Sequence, residues 1–302
     1  MQLKSIIVAL VTLIGLAKSA HAELNVVTTT PDLAAVAQAI GGAHVKVTAL
    51  ALPTQDPHFV DARPNLALEL AKADLLLLVG LDLEVGWLPT LQTASRNAAI
   101  QRGGKGYLEV SGLVPLLDVA LGKVDRAMGD IHPGGNPHFM LDPRRAAKVA
   151  SGIAVRLSEL DPKHKDSYAQ SANDFLGKLA KWQKHWEDQL KPLKGQKVVG
   201  YHKSLSYLAD WLGFQVIEHV EPKPGIPPNP GHIAHVIEVA KQNRVSLLIQ
   251  ESYFPSKTSE LVAQKVGAKL AVIPGGTNFQ AGESYLGFLN SCVTRLSAAL
   301  KP

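Results

Sequence analysis

The chain has 302 residues, a net charge of +5 and a single cysteine, Cys292. One thiol excludes an internal disulfide and any zinc site built from paired cysteines. The positive charge is spread without a basic block or aromatic interleaving, which argues against nucleic-acid binding. In chain order, residues 1–22 read as an export signal. Lys4 precedes an apolar run over 6–16, and Ala20-His21-Ala22 has the small-x-small form of a cleavage site. The run is shorter than the roughly 20 residues a membrane-spanning helix needs, and no cysteine follows the cleavage site to carry a lipid. A mature chain starting at Glu23, after cleavage at Ala22, is expected in the periplasm.

Residues 24–29 read as a strand that ends at Thr30-Pro31-Asp32, where Thr30 is expected to cap a helix and Pro31 suits its first turn. That helix spans 33–40 and stops at Gly41-Gly42. A strand over 45–52 and a helix over 64–73 follow. The run Leu75-Leu76-Leu77-Leu78-Val79-Gly80 reads as a strand buried on both faces. Asp142-Pro143 gives a second cap-plus-first-turn signal, and two helical stretches follow it, broken near Asp161-Pro162. In the second stretch Phe175, Leu179, Trp182, Trp186 and Leu190 fall on one stripe, which reads as packing surface. A helix over 165–191 would extend about 40 Å, long enough to be a spine between two lobes.

The second half repeats the alternation. Strands are expected at 197–201, 215–220, 246–250 and 270–274, with helices at 205–212, from Asn229-Pro230 onward, and at 258–266. A stiff proline-rich loop covers 222–231. Cys292 falls on the apolar face of a C-terminal helix, as a buried and inert thiol. These patterns specify an α/β fold of two parallel-sheet lobes joined by a long rigid helix. The expected boundaries are 23–142 for the first lobe, 143–192 for the connecting helical segment and 193–302 for the second lobe. Ligands in such folds sit beyond the carboxyl ends of strands.

Three histidines have settings that fix their direction: His58 in Asp56-Pro57-His58, His138 in Asn136-Pro137-His138, and His202 at the exit of a buried strand. Pro57 and Pro137 stiffen the backbone immediately before a histidine. Asp56 and Asn136 can form local side-chain turns that hold the same loops. Neutral imidazole is the commonest protein ligand for a transition metal. A metal held at the lobe junction is therefore expected, with His58 and His138 from the first lobe and His202 from the second. Glu251 follows an apolar strand, where an unpaired buried carboxylate is costly, and is the expected fourth ligand. His132 lies near His138 on a Gly- and Pro-containing loop, as an accessory ligand or an exposed side chain. His232 and His235 share a helix face with weaker support, and His44, His164, His185 and His219 have no supporting context.

At this point the sequence resembles the solute-binding proteins of ABC importers for zinc and manganese, across essentially the whole mature chain. The stretches that carry the resemblance are Asp56-Pro57-His58 with Arg63-Pro64, Asn136-Pro137-His138-Phe139-Met140-Leu141-Asp142-Pro143, Tyr201-His202-Lys203-Ser204-Leu205, Gly225-Ile226-Pro227-Pro228-Asn229-Pro230 and Gln250-Glu251. The resemblance implies a metal at the interface of two lobes, with His58, His138 and His202 as ligands, and an inner-membrane ABC permease as partner. Many members supply an aspartate from the loop after the last strand, but residues 272–278 here contain no carboxylate. Glu251 or a water then takes that position. Some members carry a carboxylate where this chain has His202, and those tend towards manganese.

Three imidazoles and a carboxylate suit tetrahedral Zn2+ better than Mn2+, which prefers more oxygen. The expected function is capture and delivery of zinc by a monomer, without catalysis, with manganese as the alternative ion. A zinc hydrolase using Glu251 as general base is the alternative from another class, although no His-Glu-x-x-His motif is present.

Overall fold

The structure is a computed structural model that describes residues 23–120 and 132–301. The expected export signal and its cleavage site lie outside the described residues. The first lobe contains β1 (Leu24–Thr28), α1 (Pro31–Gly41), β2 (Val45–Ala49), α2 (Pro64–Ala71), β3 (Leu75–Leu78), α3 (Leu88–Ser95) and β4 (Tyr107–Glu109). Its strands form a parallel sheet in the order β2-β1-β3-β4. Two helices then connect the halves, α4 (Pro143–Leu160) and α5 (Lys165–Gln189). The second lobe contains β5 (Lys197–Gly200), α6 (Ser206–Leu212), β6 (Gln215–His219), α7 (Pro230–Gln242), β7 (Leu247–Glu251), α8 (Ser256–Val266), β8 (Lys269–Ile273) and α9 (Tyr285–Leu300). Its sheet is also parallel, in the equivalent order β6-β5-β7-β8.

The expected elements form where residue chemistry is decisive. Leu75, Leu76, Leu77 and Leu78 are all buried, as a strand covered on both faces requires. Asp142 caps α4, its side chain accepting from the Arg144 amide, and Pro143 occupies the first turn. Asn229 does the same for α7 through the His232 amide. Thr30 differs from expectation: it precedes α1 in extended geometry, but its hydroxyl makes no cap bond. Thr28 instead donates to the Thr30 carbonyl at 2.8 Å, and the buried Thr30 Oγ1 has no partner.

The spine α5 has 25 residues, roughly 37 Å of helix. Phe175, Leu179, Trp186 and Leu190 are buried along it, whereas Trp182 is 39% exposed and stacks on Trp186 at 5.7 Å. The helix packs on α1, α4 and α9. One hydrophobic core consequently runs through both lobes, containing Val26 and Leu75 of the first sheet, Trp186 of the spine, and Ile249 and Phe288 of the second lobe. Separate apolar clusters lie on the outer faces, under α2 and α3 in one lobe and under α7 and α8 in the other. Each fully buried side chain of this size contributes roughly 1.5–3 kcal/mol. Swinging the lobes apart would expose part of the shared core, so the spine resists a wide hinge.

Candidate metal centre

The carboxyl ends of both sheets face the same junction, and three loops deliver histidines to it. The first loop follows β2. Within it the Asp56 carboxylate accepts from the His58 backbone N–H at 3.0 Å and from its ring Nδ1 at 2.6 Å. Trp87 pins the same loop by donating from Nε1 to the Pro57 carbonyl at 2.9 Å. The second loop repeats the device. Asn136 Oδ1 accepts from the His138 backbone N–H at 2.9 Å and from its Nδ1 at 2.8 Å. In each case an Asx side chain, a rigid proline and a histidine form one unit that sets both backbone and ring.

The third loop leaves β5 and carries His202, whose Nδ1 lies 2.7 Å from Glu221 Oε2. Glu221 sits two residues past the neighbouring strand β6, and its amide donates to the Tyr201 carbonyl at 3.0 Å. The three rings meet with centroids 5.3 Å apart for His58–His138 and His58–His202, and 5.1 Å for His138–His202. One ligand atom from each lies within 4.8 Å of the other two, and among the described residues this is the one group of metal-type side chains so arranged. Nδ1 of every ring is engaged by a neighbouring oxygen, so Nε2 is left to face the centre. His138 Nε2 is buried and has no hydrogen-bond partner.

The electrostatics favour neutral rings in part of the site. Burial, followed by His202, His58 and His132, holds the His138 pKa well below that of an ordinary imidazole. For His202 burial also pulls down, but the hydrogen bond and charge of Glu221, with the charges of Glu251 and Asp56, outweigh it and raise the pKa. Partial burial pushes the Asp56 carboxyl up, yet its hydrogen bond and charge contact with His58 hold it below the usual carboxylate range.

Glu251 is the last residue of β7, 3% exposed. Its Oε1 accepts from Ser204 Oγ, and its Oε2 is buried without a partner. Burial raises its pKa, partly offset by Ser204 and by His202. It does not belong to the set of mutually close ligand atoms. It lines, with Thr30, Asp32, His138 and Tyr253, a cavity of about 60 Å³ behind the rings.

His132 reaches the centre from the other side. Its Nε2 is 3.1 Å from His58 Nε2, and its Nδ1 is 2.6 Å from the Leu81 carbonyl. That carbonyl comes from a strained turn in which Gly80, Leu81 and Asp82 all have φ between 57° and 85°. Two non-glycine residues in this region cost roughly 1–2 kcal/mol each. The turn is clamped by Glu84, which accepts from the amides of Val79 at 2.8 Å and Gly80 at 3.1 Å and from Thr29 Oγ1 at 2.7 Å. Burial pushes the Glu84 carboxyl up to about 7, against the pull of these donors.

The remaining histidines serve other contacts. His232 Nε2 lies 2.9 Å from the His219 carbonyl, and His235 lies 3.4 Å from Glu218. His44 stacks on His164 at 3.9 Å. The sequence reading did not single out Glu221, Glu84 or Ser204. Glu221 was within reach of it, because a carboxylate directly after the apolar end of a strand is the same signal that marked Glu251.

The lobes are fastened around this centre. Asn136 Nδ2 donates to the Lys203 carbonyl at 2.7 Å and to Asp118 at 3.0 Å. The Tyr207 hydroxyl donates to the Asn136 carbonyl at 2.8 Å, and Arg145 lies over the Tyr207 ring at 4.7 Å. Arg144 and Arg145 both bridge Asp142 to Asp210 of α6.

Comparison with known proteins agrees with this arrangement. Residues 26–299 match the family model described as zinc-uptake complex component A, periplasmic. The chain is 24% identical over 298 residues to the high-affinity zinc uptake system protein ZnuA of Yersinia pestis, covering 93% of this chain and 92% of that protein. It is 29% identical over 202 residues to the manganese-binding lipoprotein MntA of Bacillus subtilis, covering 66% and 61%. A crystal structure of a ZnuA deletion mutant with zinc bound shares the fold, with a TM-score of 0.77 at 23% identity, covering 93% of this chain and 99% of that one. Two four-stranded parallel sheets on one spine, three imidazoles converging between them and a match along nearly the whole described chain have one reading: the protein belongs to the zinc-uptake complex component A family of exported, metal-binding solute-binding proteins.

Proposed function

We propose that the protein captures Zn2+ in the periplasm and passes it to an ABC permease of the inner membrane, with His58, His138 and His202 as ligands. The observation that carries this reading is the convergence of three rings whose Nδ1 atoms are each tied to an oxygen, which leaves three nitrogen donors aimed at one point. An all-imidazole trio is borderline-soft and suits zinc, whereas manganese favours oxygen-rich sites. MntA, named for manganese, shows that similarity alone does not choose the ion. The nitrogen trio is what favours zinc over manganese.

Capture would take a solvated ion into a site where His58 is 9% and His202 4% exposed. The ion replaces water with ring nitrogens that are already oriented, so little ordering cost remains at binding. The shared core and the Asn136, Tyr207 and Arg145 contacts support capture by loop and ring adjustments about a fixed spine. Release at the permease would require these loops to be drawn apart. No step of this cycle makes or breaks a covalent bond in the cargo.

Isothermal and competition titration of metal-free protein with zinc tests the reading. Binding of one ion per chain is expected, together with a rise in thermal stability. His138→Ala should abolish most of both, because it removes the donor whose Nε2 is buried and unpartnered. Unaltered zinc affinity in that variant would end the proposal.

A further inference from the structure

Beside the three clustered rings a fourth, His132, presents its Nε2. The oxygen at each Nδ1 accepts and does not donate: the carboxylates of Asp56 and Glu221, the side-chain carbonyl of Asn136 and the backbone carbonyl of Leu81. The Asn136 orientation is fixed by its own Nδ2, which donates to the Lys203 carbonyl. An accepting oxygen places the ring proton on Nδ1, and a neutral ring then has a lone pair at Nε2. His58 Nε2 and His132 Nε2 stand 3.1 Å apart in this state. Two lone pairs at that separation repel, so the contact needs either a proton shared as an N–H···N hydrogen bond or a metal ion between the rings.

A zinc ion bonded to two imidazoles at about 2.0–2.1 Å with tetrahedral angles sets their nitrogens about 3.4 Å apart. The separation between His58 and His132 is close to that edge. The other edges are longer, since the His132 ring centroid is 6.3 Å from that of His138. His132 accordingly stands outside the trio whose ligand atoms all lie within 4.8 Å of one another, and joining it requires the ring to move inward.

The backing of His132 is built as fully as that of the other three rings. Histidines that ligate a metal almost always donate the second ring N–H to a carboxylate, a carbonyl or water. Here that acceptor is the Leu81 carbonyl, presented by three successive left-handed residues and held by the buried carboxylate of Glu84. A strained turn clamped from behind, whose carbonyl meets a histidine at the edge of the ligand set, is a dedicated support.

We propose that His132 is the fourth ligand, so that the site closes on its ion with four imidazoles, while Glu251 stays outside the coordination sphere as a buried neighbour. This rests on the reading of the centre as a divalent-metal site and specifies its selectivity. A set with no oxygen donor favours zinc and disfavours manganese. It also accounts for the absence of a carboxylate from residues 272–278, because the fourth position is filled from the opposite lobe.

The test is zinc-edge X-ray absorption on the full mature chain loaded with one equivalent of zinc, with competition titrations of three variants. The spectrum should show four imidazole nitrogens and no carboxylate oxygen. His132→Ala should lower zinc affinity by about tenfold to a hundredfold, keep one ion per chain and show one imidazole fewer, while Glu251→Gln should stay within about threefold of the parent. Three imidazoles with an oxygen in the parent spectrum would overturn the assignment of His132. So would a larger loss of affinity in Glu251→Gln than in His132→Ala. His138→Ala separates the two levels of inference: if it leaves zinc binding intact, the metal centre itself is misplaced, whereas its loss alongside an unaffected His132→Ala refutes the fourth ligand alone.

Discussion

The side-chain amide of Asn136 donates across the lobe interface to the Lys203 carbonyl at 2.7 Å, one residue past His202. Its oxygen holds the ring of His138 at 2.8 Å. One short side chain therefore couples a ligand of the first lobe to the loop that carries a ligand of the second. Asn136→Ala should remove both functions and lower zinc affinity by about a hundredfold, within the range measured when support of a metal ligand is lost. Asn136→Asp keeps an acceptor for the His138 ring but loses the donor and places a carboxylate beside Asp118. It should fall between the alanine variant and the parent. Competition titrations rank the three proteins, and parental affinity in the alanine variant would remove Asn136 from the support of the site.

Glu221 makes a separate prediction through pH. Metal binding needs neutral imidazoles, so protons compete with the ion. Burial lowers the His202 pKa, but Glu221, joined by Glu251 and Asp56, more than offsets it, and the net shift is upward from about 6.5. Zinc affinity should therefore begin to fall while pH is still near neutral, and it should keep falling as pH drops through the raised His202 value. Glu221→Gln keeps an acceptor for Nδ1 without the charge, so the fall should move to lower pH. Affinity measured from pH 8 to pH 5 in both proteins checks this, and superimposable profiles would show that Glu221 does not govern His202.

Much of this arrangement was legible in the residues because the relevant physics is local. Asp56-Pro57-His58 and Asn136-Pro137-His138 are self-contained turns, and their hydrogen bonds form between residues two apart. The buried Leu75–Leu78 strand and the Asp142 and Asn229 caps are local too. The elements that went unread are short or depend on distant partners. Strand β4 is three residues long, and α3 only eight. Trp182 follows the helical stripe of the spine, yet it stays 39% exposed between the buried Leu179 and Trp186. The clamp of Glu84 on the turn at Gly80, and that turn's grip on His132, depend on left-handed backbone at Leu81, which no residue preference announces. Glu251 shows the limit of a strand-end rule: position after an apolar run marks a carboxylate that needs a partner, and Ser204 is one such partner.

The last prediction concerns Asp32, at the start of α1, whose Oδ1 accepts from both the amide and the hydroxyl of Thr277 at 2.7 Å. Thr277 lies in the loop after β8, so the pair ties the second lobe to the first helix. Burial pushes the Asp32 carboxyl up to about 6, with the two Thr277 bonds opposing the shift and Glu283 adding to it. An unfolded aspartate titrates near 3.9, so the folded protein binds this proton more tightly. The stabilisation from that proton is fully present below about pH 4 and is lost as pH rises through 6, with a ceiling of about 3 kcal/mol. Asp32→Asn keeps an oxygen for both Thr277 donors and cannot ionise. Relative to the parent, the variant should gain stability between pH 4 and pH 7 and show no relative gain below pH 4. Urea unfolding of both metal-free proteins across that range isolates the effect, because every other group titrates in both and cancels in the difference. A difference that stays constant from pH 4 to pH 8 would mean that Asp32 is ionised in the fold throughout, and that a carboxylate accepting both Thr277 hydrogen bonds holds the lobes.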